Sequence, residues 1–483
     1  MMGVGIMINI EKIMTLLQKE SNIDWNFYKF DYNYYNKIKL WADWYKGFDP
    51  TFHQLSEYNG HSTVYTKKST LNMAKRACED FSSLITNENI SINIGDSKEK
   101  DYLLGNNEMT GVLGQNDFWS ELAKTFELTC ALGTAAFEIV ATGLVEMGQS
   151  IVHSQYTNLK IIGHNAFEIV PLSWDNNGAI KECMFIDEYT IKKEHFIDLR
   201  LHILIDNEYH IINKKVAVLN NDVSYRFVDN TSDLIGDLNT KSNVPWFVVL
   251  KLPVVNNLDI KSPLGLSIYG NSISNLESID ESFNTLMVEL RHGTKKTFYD
   301  RSLLERDSNG NVIYPDVKGD QQRQDFFYVG DSMNPNNDGL IKEFNPTLRI
   351  EQIISSINSS ISLFSSLVGL GNNYYKFSNG SVEKTATEVI SENSSMYRNI
   401  RKLEIGLEKQ LLDLFRGLLN TSNLVFNTTF NIDIPISVQF DASIIEDKAS
   451  IRERDLKEVD MGIMTIEEYR SKYYESERRD TTD

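Results

Sequence analysis

Between Ser381 and Asn420 the chain reads SVEKTATEVISENSSMYRNIRKLEIGLEKQLLDLFRGLLN. Apolar side chains fall at Ala386, Val389, Met396, Ile400, Leu403, Leu407, Leu411, Leu414 and Leu418. Steps of three and four, with Asn393 in the one gap, are the stripe of an amphipathic α-helix. The other face carries Glu388, Glu392, Ser395, Arg398, Lys402 and Lys409, so both charge signs mix there. At 1.5 Å per residue the helix runs roughly 50–60 Å, longer than a small domain is wide. Such an element is either the core helix of a large α/β domain or a strut. A strut spans an assembly or packs against copies of itself.

The rest of the chain decides what that helix serves. Its 483 residues leave room for several domains, each with an ample core. The net charge of −19 argues against tight nucleic-acid binding, which needs Lys and Arg to neutralise phosphates. Cys78, Cys130 and Cys183 are odd in number and lack metal-like spacing, so they read as reduced core residues of a cytosolic protein. The opening MMGVGIMINIEKIM has neither a basic leader nor a cleavage site. No uncharged apolar run reaches 18 residues, so no membrane span is expected.

The first 68 residues are aromatic-rich and read as irregular, with a turn at Asp49-Pro50. Helices are predicted over about 70–86 and 116–132, with the strand ISINIG between them and TAAFEIVA behind. From about 150 to 255 the period drops to two and breaks at Lys-Lys and Asp-Asn turns, the pattern of an antiparallel meander. Helical period returns over 266–293, where Tyr269, Ile273, Leu276, Ile279, Phe283, Leu286 and Leu290 form the stripe and Gly293 the stop. A polar insert of short strands, including VIYPDV and DFFYV, follows. A second helix begins near Thr347, on Ile350, Ile353, Ile357, Ile361, Phe364 and Leu367. Seven serines between Ser355 and Ser366 interleave with that stripe, which suits a helix lying against neighbours on two sides. The loop GLGNNYYKFSNGS leads into the long helix. After it come the strand IPISVQFD, a charged helix, and a capping box at Thr465 and Glu468.

Catalytic signatures are missing. HGTKKT at 292–297 lacks the first glycine of a phosphate loop, because Val288 occupies that position. GLG at 369–371 has no third glycine. The eight histidines show no HxxxH or HExxH pairing, and no nucleophile elbow is present. No catalytic, metal or cofactor site is therefore assigned, and the chain is not read as an enzyme.

Five segments, in order, resemble the portal proteins of tailed bacteriophages, in the branch of long-tailed phages of Gram-positive hosts. They are WADWYKG (41–47), TLNMAKRACEDFSSLITNE (70–88), SIYGNSISNLESIDESFNTLMVEL (267–290), KTATEVISENSSMYRNIRK (384–402) and FDASIIEDKASIRERDLKEVDMGIMTIEEYRSKYY (440–474). The resemblance implies an α+β subunit with a mixed α/β wing, a two-helix stem, a small β-containing clip, a long channel-lining helix and a short helical crown. On this chain the wing covers 1–265, the stem helices 266–293 and 347–369, and the clip 294–346. A tunnel loop spans 370–381, the channel helix and its return to the wing 382–441, and the crown and tail 442–483.

The same resemblance implies a homo-oligomeric ring, twelve-fold in the capsid with thirteen possible in isolation. Double-stranded DNA passes through it during packaging and ejection. Its other partners are the terminase large subunit, the head–tail adaptor, and the major capsid and scaffolding proteins. The place is one vertex of the virion, reached from the host cytoplasm during assembly. Asn372, Asn373, Tyr374, Tyr375 and Lys376 are then expected to touch DNA. Val389, Met396, Ile400, Leu403, Leu407 and Leu411 are expected to pack between subunits. A conduit should hold DNA weakly, which acidic and small polar walls provide. Two other readings stand beside this one. One is a divalent-metal-dependent hydrolase or nuclease with a dispersed site. The other is a coiled-coil adaptor, which lacks sustained heptads.

Overall fold

The computed structural model of the chain describes residues 10–20, 33–58, 60–86, 90–95, 97–106, 109–147, 150–219, 224–228, 234–293, 295–299, 306–310, 326–328, 341–377 and 386–440, with five isolated positions beyond 455. The strand read at VIYPDV, the end of the loop at 378–381 and the crown with its capping box lie outside the described residues, those five positions aside.

Two described segments of the aromatic N-terminal stretch are helical, contrary to its irregular reading. α1 (Ile10–Glu20) is followed by α2 (Asn33–Tyr45), which buries Tyr34, Tyr35, Ile38, Trp41, Ala42 and Trp44. Those positions step by three and four. Aromatic residues are mediocre helix formers, so burial and not propensity fixes this helix. Three buried phenols around this helix find carbonyls. Tyr34 donates to Gly265 O at 2.7 Å, Tyr35 to Ile169 O at 2.6 Å, and Tyr269 to Trp41 O at 2.7 Å.

The short α3 (Pro50–His53) is capped by Asp49 and leads into a hairpin of β1 (Gln54–Tyr58) and β2 (Thr63–Lys67). Next come α4 (Met73–Ile85), β3 (Ser91–Ile94), α5 (Lys98–Leu104), α6 (Val112–Gln115) and α7 (Phe118–Leu132). In α7, Phe118, Leu122 and Phe126 turn inward and Gly133 ends the helix, as the sequence predicts.

Two sheets follow. β4 (Thr134–Met147) and β5 (Ser150–Asn165) form a long hairpin, and a 3-10 turn (Ala166–Glu168) carries the chain into β6 (Ile169–Trp174). The meander continues through β7 (Ile180–Ile191), β8 (Glu194–Ile205), β9 (Glu208–Leu219) and β10 (Ser224–Val228), all antiparallel. Its two tight turns are the Lys-Lys and Asp-Asn pairs read from sequence. Lys192, Lys193, Asp206 and Asn207 all have positive φ, as two-residue hairpin turns matching strand twist require. β11 (Asp237–Asn239) adds to β9, while β12 (Phe247–Lys251) pairs with β4 in the other sheet.

Helices then take over. α8 (Ile273–His292) and α9 (Ile350–Val368) run antiparallel, with a three-stranded sheet between them in sequence. That sheet comprises β13 (Lys296–Tyr299), β14 (Phe326–Tyr328) and β15 (Ile341–Phe344), with β13 central. α8 starts later than expected, because residues 267–272 form turns. Leu290 and Leu367, placed on the apolar stripes by their spacing, are 44% and 54% exposed. α10 (Ala386–Val425) runs 40 residues, about 60 Å, and β16 (Ile436–Gln439) returns to pair with β3. Among the described residues, no helix is long and apolar enough to cross a membrane.

α10 settles against the β-rich body of the chain. Met396, Ile400, Leu403, Leu407 and Leu411 are 7%, 1%, 3%, 1% and 0% exposed within the single chain. The helix packs on β12, β4, β5, β16 and α4. Gly406 allows the close approach, since a Cβ there would stand 3.0 Å from Pro253 Cγ. These five residues, expected between subunits, are core residues of the subunit itself. The side chain of Val389, the sixth, lies outside the described residues. Exposed apolar residues on the long helices include Ile405 at 57%, Leu363 and Leu367 at 54%, and Met287 and Val288 at 36% and 39%.

Candidate functional site

The serines of α9 explain how the helices and the following loop are held. Ser356 and Ser360 share hydroxyl hydrogen bonds with Ser282 and Ser278 of α8, at 3.3 and 3.2 Å. At the far end Arg349 forks onto Glu289, with Nη2 donating to Oε2 at 2.9 Å and Nε to Oε1 at 3.2 Å. The contacts step along the two helices in opposite directions, zipping a hairpin with small hydroxyls where the backbones run close. Two further serines face the loop. Ser365 donates to Gly371 O at 2.5 Å and Ser362 donates to Asn372 O.

α9 ends at Gly369, whose φ of +92° is open to glycine and strained for other residues. Leu370 N–H donates to Ser365 O at 2.9 Å, completing the helix stop. A Cβ on Gly369 would come within 1.9 Å of Asn399 Nδ2 on α10, so this residue also sets how near the two helices lie.

From there residues 370–377 fold back along α9 instead of standing free. Phe377 N–H donates to Asn358 Oδ1 at 2.8 Å. Tyr375 stacks on Phe364, ring centroids 6.5 Å apart, and its hydroxyl donates to Asp80 Oδ2 of α4 at 2.7 Å. Burial and then the Asp80 carboxylate push the Tyr375 phenol well above its ordinary range. The phenol therefore stays a donor. Tyr375, expected to touch DNA, is an anchor turned into the subunit. Asn372, Asn373, Tyr374 and Lys376 are exposed on the outer side of the same turn, with Tyr374 edge-on to Tyr375 at 4.8 Å.

A groove of about 620 Å³ opens beside this turn, lined by Val254, Val255, Leu367, Arg398, Asn399 and Lys402 among others. The described exposed face of α10 is rich in cations: Arg398, Arg401, Lys402, Lys409 and Arg416. Arg401 pairs with Glu404 at 2.9 Å and Arg416 with Asp413 at 3.6 Å. This face is more basic than an acidic-walled conduit would suggest.

A second polar centre lies between the β4–β5 hairpin and the meander, and no spacing rule in the sequence singled it out. Glu138 of β4 is fully buried. Arg200 reaches it at 2.9 and 2.8 Å, His164 Nε2 at 3.0 Å and His202 Nε2 at 2.8 Å. Burial alone would raise the Glu138 carboxyl, but the Arg200 guanidinium and the two imidazoles hold it well below the carboxylate range. His164 Nδ1 faces Glu168 and Asp187, and those three are the described residues that could hold a metal ion together. The one trace in the sequence is the four-residue step from His164 to Glu168.

The chain thus joins a helical hairpin carrying a small sheet, a fastened return loop and a 40-residue helix packed on β-sheets. The family model described as "Phage portal protein, SPP1 Gp6-like" matches residues 26–478, and the chain belongs to that family. The family is structural and non-enzymatic, so the hydrolase reading falls. Among solved structures, a chain from "Neck of native GTA particle computed with C12 symmetry" is similar at 10% identity and a TM-score of 0.36. That match covers 82% of this chain and 88% of the other. No curated protein matches the chain.

Proposed function

We propose that the chain is the repeating subunit of a portal ring at one capsid vertex of a long-tailed phage of a Gram-positive host. Double-stranded DNA is packaged and later ejected through the ring. The terminase large subunit docks on it first and the head–tail adaptor afterwards, with the major capsid and scaffolding proteins around it. The observation that carries this reading is the family match from 26 to 478. It falls on a chain whose α8–sheet–α9 hairpin, loop and α10 follow the stem, clip, tunnel loop and channel helix in order.

In this reading α8 and α9 are the stem, β13–β15 belong to the clip, and residues 370–381 face the bore. Asn372, Asn373, Tyr374 and Lys376 brush the passing backbone while Tyr375 holds the loop to the wing. One lysine per subunit gives weak, salt-sensitive contact and not a grip. Ring contacts fall on the exposed apolar residues Leu363, Leu367 and Ile405 instead of the buried stripe of α10. Twelve subunits are expected in the head, with thirteen possible in isolation. Native mass spectrometry of the purified chain tests assembly, and heads carrying Lys376→Gln test the loop. A closed oligomer of twelve or thirteen and reduced DNA filling support the reading. A persistent monomer or dimer, or normal filling, counts against the corresponding half.

A further inference from the structure

His164, Glu168 and Asp187 come from three places that the fold brings together. His164 is at the end of β5, Glu168 closes the 3-10 turn between the sheets, and Asp187 is on β7. The ring of His164 is fully buried against Phe185, centroids 4.7 Å apart. Its Nε2 is committed to Glu138 at 3.0 Å. Its Nδ1 is buried without a hydrogen-bond partner and looks toward Glu168 Oε2 at 3.4 Å and Asp187 Oδ1 at 3.6 Å. The carboxylates are about a third exposed, at 32% and 34%, so the cluster opens to solvent on their side.

Three features of this geometry belong to metal centres. Ligands bonded to one tetrahedral ion at about 2.0–2.1 Å stand about 3.3 Å from each other, close to the two separations seen here. A metal-bound imidazole commonly gives its second N–H to a carboxylate, which is the role Glu138 plays toward His164. The charges also favour a cation: Glu138, Glu168 and Asp187 carry three negative charges, against one on Arg200, which pairs with both Glu138 and Asp187. His202 Nε2 also lies against Glu138, and its Nδ1 is buried without a hydrogen-bond partner. Asp198 and Lys215, opposite each other on β8 and β9, cancel.

We propose that His164 Nδ1, Glu168 and Asp187 form a structural site for a divalent cation of the zinc class, completed by solvent, which clasps the two sheets of the wing. An imidazole beside two carboxylates suits a borderline ion over calcium or magnesium, which favour all-oxygen shells. The clasp is independent of ring formation and of DNA. Its rival occupant is a proton. Without a metal, burial works against charging His164, but Glu138, Glu168 and Asp187 prevail and hold its pKa near 9.

The test uses the whole chain, stripped with chelator and dialysed against ZnCl2. One zinc per chain is expected by elemental analysis, with a rise in melting temperature on zinc addition. Cobalt substitution should give the visible absorption of a four-coordinate nitrogen- and oxygen-bound ion. Glu168→Gln keeps the cap on Asn165 and should fold normally, yet lose at least tenfold in zinc affinity and the thermal gain. Glu194→Gln, on the exposed start of β8, should behave as wild type. Zinc bound equally by Glu168→Gln overturns the assignment. So does the absence of saturable zinc binding, with nitrogen NMR showing both ring nitrogens of His164 protonated at neutral pH.

Discussion

Leu407 and Ile405 are two residues apart on α10 and should fail in different ways. Leu407 is 1% exposed, on the buried face of α10, whereas Ile405 is 57% exposed. Truncating a buried leucine removes its transfer free energy and leaves a cavity, about 2–5 kcal/mol for Leu407→Ala. Leu407→Asp adds a carboxylate one turn from Glu404, itself buried and already using Arg401. An unpaired buried carboxyl costs several kcal/mol more. The sum is a large fraction of the roughly 5–15 kcal/mol that holds a domain together. Leu407→Asp should therefore give no folded chain, and Leu407→Ala a folded chain that melts several degrees lower. Ile405→Asp should melt within about 0.5 kcal/mol of wild type, and its defect should appear in assembly. Circular dichroism melts, at a concentration where native mass spectrometry shows monomer, read the first effect. Native mass spectra at higher concentration read the second. Equal destabilisation by Leu407→Ala and Ile405→Ala would refute the division of α10 into a core face and an assembly face.

Further outcomes follow from the loop and the stem. Gly369→Ala forces a side chain into positive φ and onto Asn399, so it should cost more than about 1 kcal/mol and speed hydrogen exchange over residues 365–377. Tyr375→Phe removes a hydrogen bond to a carboxylate worth about 1.5–3 kcal/mol, and should make the segment around Lys376 cleave faster in limited trypsinolysis and lower the melting temperature by a few degrees. Leu363→Glu with Leu367→Glu changes two exposed positions on α9, so circular dichroism should match wild type while sedimentation shows loss of the oligomer. Lys409→Gln, on the exposed face of α10, should leave both folding and sedimentation as they are.

The helices were legible wherever burial is one-sided. The stripe over Met396 to Leu418 gave α10 its place and its inward face, because nothing but a long amphipathic helix spaces leucines that way. What the period does not say is what covers the stripe. The cover is the chain's own β12 and β4, elements some 150 and 260 residues earlier in the sequence, so an apparent assembly face proved internal. Of the seven serines of α9, four make contacts on two sides, Ser356 and Ser360 with α8 and Ser362 and Ser365 with the following loop. α2 was missed because tyrosine and tryptophan hide a helical period under poor propensity. Tyr375 misled for a related reason: a tyrosine in a polar loop reads as exposed until Asp80, 295 residues away, accepts its hydrogen bond. The wing cluster was nearly invisible, because the hairpin register brings Glu138 to the His164 end of β5 and the 3-10 turn delivers Glu168. The Lys-Lys and Asp-Asn turns, by contrast, are local chemistry, and they were read directly.

The most direct test of the central claim is electron microscopy of the purified full-length chain, with class averages seen end-on. Closed rings with an axial hole wide enough for duplex DNA are expected, α8 and α9 stacking subunit to subunit around the hole and the β-rich wing on the outside. Averages showing only compact single subunits, or closed particles without a central opening, would contradict the account.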